Sequence, residues 1–305
     1  MNKMTQIDSS IPAADIVRRG ARLGAEIKNI RLSGDMSDEV MHAIYRELLE
    51  HRVVFVADQR HLDDSEQERF AVRLGKLFTQ PTVETTARES ILPDRGRNSH
   101  CNDRGKMDDS FIDTYPKISV VRGAVIPPSG GQSIWSNVAA AYLDLPAPLR
   151  KLADELWAVH SNSYEHAVRA RSSEFDHHNE VFTGTIHETA QPVVRIYPET
   201  GERTLALGSS VQRFIGLQEY TGQRLFELLR SHIMAPENTV RWNWKAGDVV
   251  IWDNRAAQHY AGNEDGDQNT LVPHATFASV LALNNDALSG GTQAKILRQQ
   301  AARAA

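Results

Sequence analysis

The spacing of apolar positions changes several times along the chain. Residues 23–32 (LGAEIKNIRL) alternate apolar and polar side chains, the two-residue period of a strand with one buried face. Residues 37–52 (SDEVMHAIYRELLEHR) switch to a helical period. Val40, Ile44 and Leu48 share one face there, and Ser37 stands in the N-cap position. The compact apolar run VVFVADQ (53–59) predicts a buried strand, and LDDSEQERFAVRLGKL (62–77) a second helix with Gly75 near its end. KISVVRGAVIP (117–127) and SIWSNV (133–138), separated by the turn residues PSGGQ, predict two central strands. A helix is predicted over 146–158, within LPAPLRKLADELWA. The last third reads as short strands with turn signals: QPVVRIYP, the turn ETGE, then RTLALG. A helix over 218–233 follows, then TVRWNW, the turn KAGD, VVIWDN and finally LVPHATFASV.

Helices early and short strands late, with no regular βαβ alternation, predict an α+β fold with a barrel-like β core dressed by helices. A jelly roll satisfies that pattern. The chain has 305 residues, 41% hydrophobic and 24% charged, enough for a substantial core. No Pro/Gly/Ser-rich linker divides it, so a single domain over 1–305 is expected, with 1–12 and about 291–305 as peripheral ends. The net charge of −5 and the lack of a basic block argue against a nucleic-acid partner. Arg169 and Arg171 read as part of a solvated lid or helix face. There is no internal repeat, no signal-peptide pattern and no apolar run long enough to span a membrane. Cys101 is the sole cysteine and reads as inert. It excludes an intrachain disulfide and suits the cytoplasm, where a homo-oligomer acting on a small molecule is expected.

The most informative stretch is RWNWKAGDVVIWDNRAAQHYAGNE (241–264). A tight turn feeds a buried strand, Asp253-Asn254-Arg255 leaves it, and His259 sits just beyond, where an imidazole would be held rigidly at the mouth of a barrel. This segment closely resembles the taurine dioxygenase (TauD/TfdA) family of Fe(II)/2-oxoglutarate oxygenases, its alkylsulfatase-like members above all. Residues 53–77, 111–152, 191–205 and 237–244 resemble the same family, and the likeness runs from about Leu23 to Ser279. It implies a double-stranded β-helix with helices packed on one face. It also implies iron held by a His-x-Asp pair and a distant His, a three-ligand face that leaves positions open for 2-oxoglutarate and O₂. An Arg after the distant His then clamps 2-oxoglutarate by a bidentate pair, and a second Arg grips the substrate.

Carried onto this chain, the distant His is His259. The His-x-Asp pair falls, without gaps, on Lys106-Met107-Asp108. An ammonium has three donors and no lone pair, so Lys106 cannot ligate a metal while protonated. Three roles stay open for it: an ion pair with Asp108, a general acid or anion anchor, or a neutral ligand. The 2-oxoglutarate Arg falls on Thr270 and the substrate Arg on His274, while Ser133 keeps the type of the usual co-substrate Thr. Removing a bidentate Arg from a dicarboxylate site costs at least ~2–3 kcal/mol, which puts use of 2-oxoglutarate in doubt. Gln191 and Tyr197 stand where family members often carry His.

The stretch GRNSHCNDRGKMDDSF (96–111) offers His100 or Asp103 as a substitute third ligand beside Asp108 and His259, and His274 could serve as ligand or acid–base group. His166, His177, His178 and His187 read as lid residues, and His42, His51 and His61 as surface or helix residues. The expectation is an oxygenase-family enzyme with a non-standard site, acting on a small organic molecule, its Fe(II) binding weakened. The alternatives are a non-oxidative enzyme (an isomerase, lyase or cyclase) using Lys106, Asp108, His259 and His274 as acid–base groups, or an inactive ligand-binding relative in which Lys106 neutralises Asp108.

Overall fold

The computed structural model describes residues 11–77, 83–84, 92–95, 110–111, 117–126, 131–163, 181–182, 186–262 and 276–283. The chain opens with the antiparallel pair β1 (Ile16–Arg18) and β2 (Ala25–Ile27). Helix α1 (Asp38–His51) starts where the Ser37 hydroxyl accepts the Val40 amide, as its sequence predicts. β3 (Val53–Val56) is buried at every position. Helix α2 (Asp64–Leu74) is capped by Asp63, whose carboxylate accepts the Glu66 amide at 2.8 Å, and stops at Gly75. β4 (Lys76–Leu77), β5 (Val83–Glu84) and β6 (Leu92–Arg95) precede the long β7 (Ile118–Val125) and β8 (Gln132–Asn137). Then come α3 (Val138–Asp144), α4 (Ala147–Glu155), β9 (Trp157–Ser161), β10 (Val181–Phe182), β11 (Glu188–Pro192), β12 (Val194–Ile196), β13 (Arg203–Leu205) and β14 (Val211–Phe214). The last elements are α5 (Glu219–Ile233), β15 (Thr239–Asn243), β16 (Val249–Asp253), β17 (Ala257–Gly262) and β18 (Thr276–Leu283).

Two sheets build the centre. An eight-stranded sheet runs β1-β2-β3-β16-β7-β18-β4, with β6 also on β18, and a three-stranded sheet runs β15-β8-β17. Alternate residues of the large sheet serve two different cores. Val53, Phe55, Val121, Val250 and Trp252 face the three-stranded sheet and meet Trp135, Val240 and Ala257. Val54, Val56, Ile118, Val120, Val249 and Ile251 face the other way, onto Ile44 and Leu48 of α1 and Phe70 of α2. Both faces are covered, which is why VVFV and VVIW are continuous apolar runs with no polar side. A third core joins α3, α4 and α5 to β9, β13 and β14. Among the described residues, no helix is long and apolar enough to cross a membrane.

Several elements differ from the pattern reading. The strand expected over 23–32 shrinks to three residues, and Asn29 at φ 55° turns the chain soon after it. The helix expected to reach residue 158 ends at Glu155. Leu156 is already extended, and the next five residues pair with β11 and β14. Helix α3 departs from the pattern, because SIWSNV reads as strand through Val138. Asn137 ends that strand and caps the helix, accepting the amides of Ala139 and Ala140 at 3.1 and 2.9 Å. QPVVRIYP is two strands in two sheets. Pro192 has no amide hydrogen to extend β11, and the Val193 amide donates to the Leu156 carbonyl at 3.0 Å.

Candidate active site

β17 pairs with β8 so that His259 lies opposite Trp135. The two rings are 4.9 Å apart between centroids, tilted 30°. From the large sheet, Trp252 closes on the same imidazole at 5.2 Å and 41°. His259 is therefore half-buried between aromatic rings from both sheets. It stands within β17, not just past a strand end as the sequence reading had it. Ser133 is two residues before Trp135 on β8 and so shares its face. Its hydroxyl accepts the Trp244 indole N–H at 2.9 Å. Two of the residues selected from sequence, His259 and Ser133, thus lie on one face of the three-stranded sheet. Lys106, Asp108, Thr270 and His274 lie outside the described residues, as do His100, Cys101 and Asp103.

The turn that delivers β17 is set in a buried network of charges. Arg255 donates to Asp253 Oδ2 at 2.7 Å and to Glu199 Oε1 at 2.9 Å, and its guanidinium lies 4.8 Å from the centre of the Tyr197 ring. The Tyr197 hydroxyl donates to Asp253 Oδ2 at 3.0 Å. Lys117 reaches Glu199 at 2.6 Å and the Tyr45 hydroxyl at 2.5 Å, and Asn254 donates to Ser119 Oγ at 2.8 Å. Burial pushes the Glu199 carboxyl up, but hydrogen bonds from Arg255 and Lys117 and their charges outweigh it and hold the group at about 2. Burial, reinforced by the charge of Asp253, drives the Tyr197 phenol far above its ordinary range. In the sequence Asp253-Asn254-Arg255 reads only as a strand exit, and Tyr197 as a position where family members often carry His, with no partner assigned.

A second polar cluster surrounds Ser110, two residues past Asp108. Ser110 Oγ lies 3.0 Å from His160 Nδ1 and 2.5 Å from Ser210 Oγ, and Ser210 Oγ lies 3.1 Å from the same nitrogen. Burial, then the nearby charge of Arg195, lowers His160 to about 3, so its imidazole is neutral at working pH. The ring of His187 stacks at 6.4 Å on Phe111, and its amide donates to Asn162 Oδ1 at 2.9 Å. His187 thus stands beside β11, in contact with Phe111 and Asn162. None of these contacts was read from the sequence, because a His inside the alternating run WAVHS carries no signal of its partner.

Among the described residues, one group of potential metal ligands comes together elsewhere. It comprises Glu47, Glu50 and His51 on α1, with ligand atoms within 4.8 Å of one another. Arg18 already pairs with Glu50 at 3.0 Å and Arg46 with Glu47 at 3.7 Å. The helix packs on the face of the large sheet opposite His259.

The family model described as taurine catabolism dioxygenase TauD, TfdA family, matches residues 15–272. The chain belongs to the TauD/TfdA family. An alpha-ketoglutarate-dependent sulfate ester dioxygenase of Pseudomonas putida is 43% identical to it over 277 residues, spanning 89% of this chain and 92% of the relative. An alkylsulfatase of Acinetobacter baylyi is 41% identical over 276 residues, 89% and 87% of the two chains. The crystal structure of a taurine dioxygenase from Burkholderia xenovorans superposes with a TM-score of 0.72 at 28% identity, covering 88% of this chain and 89% of that one. The mixed α and β architecture is therefore that of the TauD/TfdA dioxygenases. Alpha-ketoglutarate is 2-oxoglutarate, and the name of the Pseudomonas putida relative lends no support to the doubt raised by Thr270.

Proposed function

We propose that this TauD/TfdA chain is an enzyme acting on a small organic molecule at a site built around His259, with a metal and co-substrate site that departs from the family pattern. The observation that carries the reading is the setting of His259, fixed in mid-strand between Trp135 and Trp252 with Ser133 on the same face. We read the large sheet and the β15-β8-β17 sheet as the two walls of a double-stranded β-helix whose interior is this aromatic core.

The family implies Fe(II), and the donor set fits it in part. The imidazole of His259 and the carboxylate of Asp108 are donors of the right kind, whereas the Lys106 ammonium is not. The chemistry assigned to the chain is accordingly that of its own groups. His259 can accept or deliver a proton beside the indoles of Trp135 and Trp252. Lys106 offsets the charge of Asp108 and offers an anchor to an anionic substrate. Ser133 retains a hydroxyl that accepts from Trp244 and can donate to a co-substrate oxygen. The relatives' names point to sulfate esters. Here the substrate-anchoring position is His274, which attracts an anion strongly only when protonated.

Anaerobic titration of metal-free protein with Fe²⁺, with and without 2-oxoglutarate, tests the reading on wild type and on the double variant Lys106→His/Thr270→Arg. The expected result is weak binding by wild type and a gain of both ligands by the variant. Tight, stoichiometric binding of both by wild type would establish an ordinary dioxygenase site and defeat the proposal. Metal-independent turnover of a substrate under argon would favour the acid–base alternative instead.

A further inference from the structure

We infer that the charge cluster of Asp253, Arg255, Glu199 and Lys117 locks the corner between β16 and β17, and so sets His259 against Trp252 across the two sheets. The inference rests on the reading of His259 as a site residue. β16 belongs to the large sheet and β17 to the three-stranded one, so the chain changes sheets within residues 254–256. β17 is an edge strand and, among the described residues, pairs with β8 alone. Its register is set by that pairing and by the corner that feeds it. A slip of one residue would turn His259 away from Trp135 and Trp252.

The corner is fastened by residues remote in sequence. Asp253 is fully buried, and Asn254 and Arg255 are nearly so. The Asn254 amide donates to the Lys117 carbonyl at 2.9 Å, and the Asp253 amide to the Arg52 carbonyl at 3.2 Å. Asp253 Oδ1 accepts the Arg255 amide at 2.9 Å and the Arg255 Nε at 3.0 Å. One carboxylate thus holds both the backbone and the side chain of the corner. The guanidinium is tied in turn to Glu199, between β12 and β13, and Glu199 to Lys117, just before β7. Two carboxylates and two cations leave the cluster neutral. Removing one charge strands its buried partner, which costs far more than removing a matched pair. Glu199 and Arg255 are positioning residues here, since neither needs to touch a ligand.

Hydrogen exchange of the full chain, resolved to the peptide covering residues 257–262, tests the lock in wild type, Glu199→Gln, Tyr197→Phe and Glu199→Gln/Lys117→Met. Glu199→Gln keeps the shape and removes the charge, and should raise exchange in β17 about tenfold or more. Tyr197→Phe removes one hydrogen bond to Asp253. It should act in the same direction, and it decides the matter if Glu199→Gln fails to fold. The double variant restores the balance of charge and should return exchange towards the wild-type rate. Protection of α5, which packs in a separate core, should not change. Unchanged exchange in β17, an equal rise in every peptide, or a double variant as loose as Glu199→Gln each overturns the inference. The imidazole protons of His259 in metal-free protein, identified by their loss in His259→Gln, give an independent readout by NMR. The two indole rings displace these resonances, and the displacement should shrink in Glu199→Gln. Unmoved resonances overturn the inference as well. Anaerobic Fe²⁺ titration of wild type decides the site reading separately, while the exchange data decide the lock.

Discussion

Burial holds the His160 imidazole at about 3, so the folded chain takes up no proton there until well below the pH at which the unfolded chain does. Between about 6.5 and 3 the unfolded state binds one more proton at this residue. Its contribution is complete above about 6.5, and stability falls by roughly 1 kcal/mol per pH unit as pH drops below that point. Urea unfolding at pH 7.5, 6.5 and 5.5 should show this slope in wild type and a shallower one in His160→Asn. Equal slopes would mean that the imidazole is not buried neutral. Glu199 acts in a separate window. Its carboxyl sits at about 2, so the stability it supplies is present above the ordinary carboxylate range and is lost as pH falls through that range towards 2. At this level the sequence was readable where chemistry and spacing coincide, as at His259. It was silent at His160 and Ser110, because a buried hydrogen bond between residues fifty apart leaves no local pattern.

The same contrast separates one element from another. Helix α1 and strands β3 and β16 were legible because cap, period and hydrophobic run agree in each. Helix α3 was missed where one residue has two duties, Asn137 closing β8 and capping the next helix. Ala at that position should leave two amides of the first turn without their acceptor and cost about 1 kcal/mol, within a usual range of 0.5–2. A lower urea midpoint with an unchanged slope in Asn137→Ala would bear this out, and no shift would show that the cap is dispensable. The break at Val193 was hidden for another reason. Pro192 lies in an apolar run, and only the partner of each half reveals that they serve different sheets.

Across the molecule, the candidate site exists because two sheets share an aromatic interior. Trp135 from the three-stranded sheet contacts Phe55 and Trp252 from the large sheet, and Trp244 and His259 from its own side. Trp135→Ala should therefore cost about 3–5 kcal/mol, as for a large buried side chain. It should also loosen His259, so thermal unfolding followed by circular dichroism should show a marked drop in Tm. A drop small enough for a surface position would refute a shared interior. The family pattern could be matched from sequence over most of the chain, since it rests on runs and turns that survive substitution. Which residues complete the site is set by atoms brought together from remote parts of the chain, which periodicity does not encode.

The large sheet places β3 beside β16, with Val56 opposite Val249. A ribosome adding roughly 5–20 residues per second needs about 10–40 s to make the chain that separates these neighbours. Throughout that interval the run Val53–Val56 has emerged without its antiparallel partner, a naked apolar edge on the nascent polypeptide. Folding of the centre must then wait for one of the last strands made, and loop closure over that distance is slow. Production of this protein in cells should depend on chaperones that shield the early strands until translation is nearly complete.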